Sequence, residues 1–384
     1  MHSKLKLFPT YEVGSLPKLV VRRKALKGLA CSDLEIQEVQ LLARKYGVAH
    51  EEITSLLHRQ KREQRALRPE ERKQLIDFNA LLNIRIQEKS GLDYVYDGEA
   101  RRVEMTENVT RQIEGFEHLP EMVLSRKADS WRKGVCVAEP QLKEGALGRL
   151  VQEEFSFVRT HAAHPVKIPI DDPYMIAVMS DNPYYAQIMK KQFTTKKRVR
   201  YEAARGLTLA LAKNIIRPQV EAAVALGAAW IQLDLPAATI DAGQIPILVE
   251  GLNTVVEGID DVNFSLHFCY PRRDPLLNKK GYALLFPHAL DLNYRIKHFS
   301  LELANADTYR EDLAVFAEHQ KERSFALGVG VIDITSQRQK EKPFETPELV
   351  RERILHAVQV LKDPALIYVA PDCGMRQLNL ERCI

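Results

Sequence analysis

A histidine and a cysteine two residues apart, His267-Phe268-Cys269, form the sharpest chemical feature of this 384-residue chain. They close a short run, Asn263 to Phe268, that reads as a strand. Residues i and i+2 of a strand share a face, so both side chains can reach one metal ion. Glu302 follows a second such run, and Cys373 sits in the turn Asp372-Cys373-Gly374 after a third. Two thiolates, an imidazole and a carboxylate make the four tetrahedral ligands that suit Zn²⁺, and the softness of sulfur argues against Mg²⁺ or Ca²⁺. A His and a Cys on one strand are, alone, more often a satisfied core pair. The Glu and the second Cys at other strand ends shift the reading to an open, catalytic site.

The elements that must position these groups are legible from periodicity. Eight strand-like runs alternate with helical patterns: Leu5 to Val13, Tyr94 to Tyr96, Val166 to Ile170, Trp230 to Leu233, Asn263 to Phe268, His298 to Leu301, Phe325 to Ile332 and Leu366 to Val369. Alternation of this kind predicts a parallel sheet wound with helices. Eight strands fit a (β/α)₈ TIM barrel, whose usual ~250 residues leave over a hundred for insertions. One is a helical insertion after strand one, Val20 to Lys89, with a helix at Asp33 to Tyr46 closed by Gly47, another near Glu51 to Arg65 and a third opened by Pro69. The second, Trp131 to Val158, reads as an accessory hairpin ahead of strand three, built from Val135 to Val137 and Leu150 to Val158. One domain over 1–384 is the expected organisation.

In such barrels the active site lies at the C-terminal strand ends, and polar groups collect there. Strand one ends in Val13-Gly14-Ser15, strand two in Asp97-Gly98-Glu99, strand three in Asp171-Asp172, strand four in Asp234 and strand seven in Asp333. A carboxylate after a strand is commonly a helix N-cap or a surface group. For Glu99 and Asp234 to act together, a cationic ligand group must sit between them, because like charges otherwise repel.

Composition narrows the class. Lys+Arg 55 against Asp+Glu 51 leaves +4, so nucleic-acid or membrane affinity would need a local patch. No segment approaches the ~20 apolar residues of a membrane span. Met1 to Thr10 has no continuous apolar core, so no secretory signal is expected and the cytoplasm is the default compartment. The five cysteines lack the spacing of a disulfide framework; Cys31, Cys136 and Cys383 read as small buried hydrophobes. Neither G-x-G-x-x-G nor a Walker loop is present, which argues against nucleotide chemistry.

Taken together, Val13-Gly14-Ser15-Leu16-Pro17, Asp97-Gly98-Glu99, Ile231-Gln232-Leu233-Asp234, His267-Phe268-Cys269, Glu302, Gly330-Val331-Ile332-Asp333-Ile334 and Pro371-Asp372-Cys373-Gly374 resemble the catalytic barrel of cobalamin-independent methionine synthase. The resemblance implies that His267, Cys269, Glu302 and Cys373 hold zinc. It implies that Val13, Ser15, Glu99 and Asp234 hold homocysteine, with Ser15 and its backbone on the carboxylate and the two acids on the ammonium. A free thiol titrates near about 8.5, whereas coordination to zinc deprotonates it.

Three departures stand out. The full-length enzymes carry an additional N-terminal half, for which 384 residues have no room, so the short core form is expected. The usual Asp-Glu-Pro is Asp234-Leu235-Pro236, and the usual Asp-Ile-His-Ser is Asp333-Ile334-Thr335-Ser336. The histidine implicated in protonating a departing folate nitrogen is therefore Thr335, while a methyl-corrinoid needs no such proton. On that ground methylcobalamin, carried by a corrinoid protein, is the expected donor ahead of 5-methyltetrahydrofolate. A zinc-thiol alkyltransferase acting on coenzyme M is the nearest rival, but Glu99 and Asp234 would repel its sulfonate. A scaffold or RNA-binding protein using the basic stretch His58 to Lys73 is the rival from another class, although interleaved Glu63, Glu70 and Glu71 suit a solvated face.

Overall fold

The computed structural model describes every residue except 1–5, 103–104, 125–129, 236–240, 271–280, 305–308, 336–342 and 384. Side-chain apolarity alternates along the later strands, and this builds the sheet. In the sequence Trp230–Leu235, Ile231, Leu233 and Leu235 are fully buried against the surrounding helices, while Trp230, Gln232 and Asp234 face the other way. The same alternation runs through Asn263–Phe268 and Ile296–Leu301. Strands buried on both faces are expected of a parallel sheet covered by helices.

Two antiparallel strands, β1 (Ile113–Leu124) and β2 (Ser130–Leu142), stand apart from six parallel ones. The six are β3 (Ile168–Asp171), β4 (Trp230–Leu235), β5 (Asn263–Phe268), β6 (Ile296–Leu301), β7 (Ala326–Ile332) and β8 (Ile367–Pro371), paired in chain order. The ring is completed by parallel bridges Thr10↔Val369, Tyr11↔Tyr94 and Val95↔Val166. These bridges occupy the first two strand positions, so the eight stations of a (β/α)₈ barrel are present, as the sequence predicts. The first two stations are shorter than the predicted runs. Pro9 has no N–H to donate and only its carbonyl takes the Val369 N–H. Leu5, the start of the first run, lies outside the described residues.

Four helices lie between the first two strand stations: α1 (Val20–Leu26), α2 (Asp33–Tyr46), α3 (Glu51–Glu63) and α4 (Pro69–Lys89). Ser32 and Glu35 form a capping box at the start of α2, and Gly47 ends it in the left-handed conformation. The helices share an apolar cluster that includes Ile36, Leu57, Leu75 and Leu82. Much of the basic stretch is paired internally: Arg59 and Arg65 meet Glu71, Lys61 meets Asp33, and Lys73 meets Asp77.

The accessory hairpin expected over 131–158 is corrected. Val135 to Val137 does lie in a strand, but its partner is β1, upstream, paired from Ile113↔Leu142 to Leu124↔Ser130. Leu150 to Val158 is helical, with Leu150, Val151, Phe155 and Val158 buried in the core. Their recurrence follows a helical period rather than a period of two. Gly115 and Pro120 interrupt the alternation of β1 and hid it from the sequence reading. Among the described residues, no helix is long and apolar enough to cross a membrane.

The inner face of the barrel is aromatic and polar. Tyr11, Trp230, His298 and Tyr368 pack together at one level, with ring centroids 5.1 Å apart for Tyr11 and Trp230 and 4.7 Å for His298 and Tyr368. The Tyr11 hydroxyl donates to Ser300 Oγ at 2.7 Å and the Trp230 indole to Ser265 Oγ at 2.8 Å. Gly328 makes room for this layer, since a Cβ there would collide with the Tyr11 hydroxyl and stand 2.8 Å from His298 Nε2. Gly328→Ala is expected to lower thermal stability by about 1 to 3 kcal/mol, the usual cost of overpacking; an unchanged melting temperature would contradict this account of the layer.

Candidate active site

Four potential metal ligands converge at the C-terminal ends of β5, β6 and β8. The ligand atoms of His267, Cys269, Glu302 and Cys373 all lie within 4.8 Å of one another. A tetrahedral Zn²⁺ with Zn–S about 2.3 Å and Zn–N about 2.0–2.1 Å requires S···S of roughly 3.8 Å and S···N of roughly 3.6 Å. Cys269 Sγ stands 3.6 Å from Cys373 Sγ and 3.5 Å from His267 Nε2. The donor set and its spacing therefore fit this ion. Burial, with the Lys167 charge adding to it, lowers His267 to about 3, so its imidazole is neutral and able to ligate. The contact with Cys269, then burial, pushes the Cys373 thiol well above the usual thiol range. A cation placed among these groups would reverse that penalty.

Other residues hold the ligands in register. The buried Tyr282 hydroxyl donates to the Phe268 carbonyl at 2.8 Å and accepts the Glu302 N–H at 2.9 Å, tying the His-x-Cys strand to the glutamate. Asp372 Oδ1 accepts from Leu303 N at 2.9 Å and Ala304 N at 2.7 Å, tying the residue before Cys373 to the two after Glu302. Gly330 is required here because a Cβ would collide with that carboxylate oxygen.

Beside these four potential ligands lies a buried group of carboxylates. Glu99 is in the left-handed region at φ 56°, a cost that a non-glycine residue sustains where the surroundings fix it. A Cβ on Gly14 would stand 2.8 Å from Glu99 Oε1, so Gly14 lets Glu99 approach the first strand. Asp234 is raised to about 7 by burial and then by the Glu99 charge, with Lys167 and Gln232 opposing. Glu12 is raised to about 7 by burial, with Lys167 opposing. Lys167 is fully enclosed and lowered to about 8 by burial, against the pull of Asp234, Glu12 and Glu99. Arg102 lies 3.8 Å from Glu99 but makes its shorter contact, 2.7 Å, with Glu154. Three carboxylates around one lysine leave a site whose charge balance favours a further cation.

The structure brings Ser15 against the turn that carries Cys373: its carbonyl accepts the Met375 N–H at 2.7 Å, and Gly374 has no room for a side chain against it. Val13 is buried, and its carbonyl already accepts from Lys167 and Gln232. Asp172 is the N-cap of the helix Pro173–Met179, and Asp333 Oδ1 accepts the Thr335 N–H, both local roles. Asp97 is neither cap nor surface group; it is enclosed and raised to about 8 by burial and then by Glu154. Thr335 is exposed; Pro236 and Ser336 lie outside the described residues. Sequence reasoning missed Lys167, Gln232, Glu12 and Tyr282. A lysine inside the apolar run Val166 to Ile170 was a usable signal for the first; Tyr282 follows no strand pattern and carried none.

The family model described as the catalytic domain of cobalamin-independent synthase matches residues 50–384. The chain is 32% identical over 311 residues to a methionine synthase of Pyrococcus abyssi (strain GE5 / Orsay), covering 81% of this chain and 79% of that one. It is 30% identical over 297 residues to a methionine synthase of Thermococcus kodakarensis, covering 77% and 75%. A B12-independent methionine synthase from Shewanella sp. W3-18-1, solved in complex with selenomethionine, has the same fold, with a TM-score of 0.68 at 20% identity over 98% of this chain and 94% of that one.

These findings correct the donor. Methylcobalamin, and with it a corrinoid protein as partner, was expected from Thr335 alone, and a family described as cobalamin-independent overturns that expectation. One exposed side chain at the rim was too little to carry it.

The proximity of Cys269 and Cys373 has a direct test. Chelator-treated protein exposed to a mild oxidant is expected to lose two of its five titratable thiols, and protein preloaded with Zn²⁺ to keep all five. Equal losses with and without the ion would contradict the shared site.

Proposed function

Because the chain belongs to the cobalamin-independent synthase family through its catalytic domain, we propose that it is a zinc-dependent methyltransferase that forms methionine from homocysteine, with 5-methyltetrahydrofolate as the methyl donor. The observation that carries this reading is the convergence of His267, Cys269, Glu302 and Cys373 within 4.8 Å beside an excess of buried carboxylate. The names of the relatives support the substrate, and the family description supports a donor other than cobalamin.

His267, Cys269, Glu302 and Cys373 would hold the ion. Zinc, when bound, supplies the positive charge that turns a weakly acidic thiol into a thiolate nucleophile at neutral pH. Glu302 would be the hardest of the four donors and so the weakest hold on a softly ligated ion, with the two thiolates and the imidazole as the firmer ones. Glu99 and Asp234 take the substrate ammonium, and Ser15 takes its carboxylate. The protein then contributes mainly position, holding the sulfur in line with the methyl carbon. Thr335 cannot protonate a departing nitrogen, so that proton comes from water or another acid at the open rim.

The carboxylate pair distinguishes this reading from alkyl transfer to coenzyme M, whose sulfonate would be repelled. The internal pairing of much of the basic stretch in α3 and α4 leaves less free charge for the RNA-binding alternative.

Purified protein supplied with zinc, homocysteine and 5-methyltetrahydrofolate is expected to form methionine, and Cys373→Ser to lose both zinc and activity. Full zinc occupancy in that variant would refute the ligand assignment, and absence of methionine with the unmodified protein would refute the reaction. Asp234→Asn is expected to keep its zinc and to weaken homocysteine binding by about 2 to 4 kcal/mol, as when a buried charge pair loses one partner. Unchanged affinity would remove Asp234 from the substrate site.

A further inference from the structure

Beneath the carboxylates lies a chain of hydrogen bonds that no part of the metal site requires. Lys167 Nζ donates to the Val13 carbonyl at 2.6 Å and to Gln232 Oε1 at 2.7 Å. Gln232 Nε2 donates to the same carbonyl at 2.7 Å and to Asp234 Oδ1 at 2.6 Å. Lys167 and Gln232 are 1% and 0% exposed, so neither can reach solvent or a ligand directly.

The chemistry of these groups fixes their direction. An ammonium only donates, so the Gln232 amide must turn its oxygen to Lys167 and its NH₂ toward Asp234. A glutamine without the lysine could present either end, and its oxygen against Asp234 would repel. Both lone pairs of the Val13 carbonyl are taken by the two donors.

We propose that Lys167 and Gln232 are positioning residues for substrate recognition: Lys167 orients the Gln232 amide, which holds Asp234 Oδ1 and leaves Oδ2 to the ammonium of an amino-acid thiol. The inference rests on the reading of Asp234 as an ammonium ligand given above. It deepens that reading by assigning the discrimination between an α-amino thiol and an unaminated thiol to a pair of side chains that touch neither. The electrostatics agree, since Lys167 and Gln232 both favour the ionised form of Asp234. Such a charge-assisted chain costs little to maintain when every member is satisfied and misdirects its end group when one is removed.

The test compares homocysteine with 4-mercaptobutyrate, the same thiol acid without its amino group, by calorimetric titration of zinc-loaded protein. Unmodified protein is expected to bind homocysteine more tightly. Gln232→Met is expected to lose 10- to 100-fold in homocysteine affinity while 4-mercaptobutyrate affinity and zinc content stay within twofold. A merely structural role for Gln232 would weaken both thiols together, and that outcome, or unchanged discrimination, overturns the proposal. Gln232→Asn keeps an amide in the core but is one methylene too short to span Lys167 and Asp234, so it serves if the first variant does not fold. It is expected to show the same selective loss, and retained discrimination there overturns the proposal equally. Failure of the underlying reading is visible separately, as unmodified protein that does not distinguish the two thiols.

Discussion

Two thiols, an imidazole and a carboxylate held within 4.8 Å and largely out of water impose the constraint on which this molecule is organised. Groups of that kind repel or compete for protons unless a cation sits among them, and they assemble only if the strands that carry them keep a fixed register. In the β5 and β6 ladder His267 lies opposite Ser300, which puts Glu302 two residues further along the same face. Tyr282 and Asp372 then pin the strand ends that carry Cys269, Glu302 and Cys373. These contacts use backbone N–H and C=O groups that leave the sheet ladder at its rim, so satisfying the main chain and aiming the ligands are one operation.

The same alternation that serves the candidate metal site shapes the whole barrel interior. Outward-facing Ile231, Leu233, Leu266, Phe299 and Leu301 bury apolar surface against the helices and supply the driving force for folding. That leaves the inward positions to groups that would be expensive in an ordinary core. Several of them are offset by hydrogen bonds to one another: Trp230 to Ser265, Tyr11 to Ser300, Lys167 to Val13 and Gln232. The interior thus rises from an aromatic floor through a layer of lysine, glutamine and serine to carboxylates and the His267, Cys269, Glu302 and Cys373 cluster at the mouth. Charge density increases toward the C-terminal ends of the strands.

Much of this was legible in the sequence because a period of two is a strong signal. Trp230-Ile231-Gln232-Leu233-Asp234 and Asn263-Phe264-Ser265-Leu266-His267 announce both the strand and its polar face, and the helical insertion was readable from its caps. The hairpin was misplaced because Gly115 and Pro120 break the pattern in β1, while the apolar run Leu150 to Val158 fits a strand and a helix alike until its burial is known. Tyr282, and the partners of Lys167, were out of reach for a different reason. These bonds join groups more than ten residues apart, and only the closed ring brings those groups together. The methyl donor was misjudged because it was read from Thr335, a single exposed residue whose N–H is bonded within its own turn.

The central claim is that the four rim residues make one thiol-activating zinc site, and X-ray absorption at the zinc edge tests it most directly. Zinc-loaded protein is expected to show two sulfur and two nitrogen or oxygen neighbours near about 2.3 and 2.0–2.2 Å, and a third sulfur in place of one oxygen once homocysteine is added. A spectrum without sulfur neighbours, or one that saturating homocysteine leaves unchanged, would contradict the account.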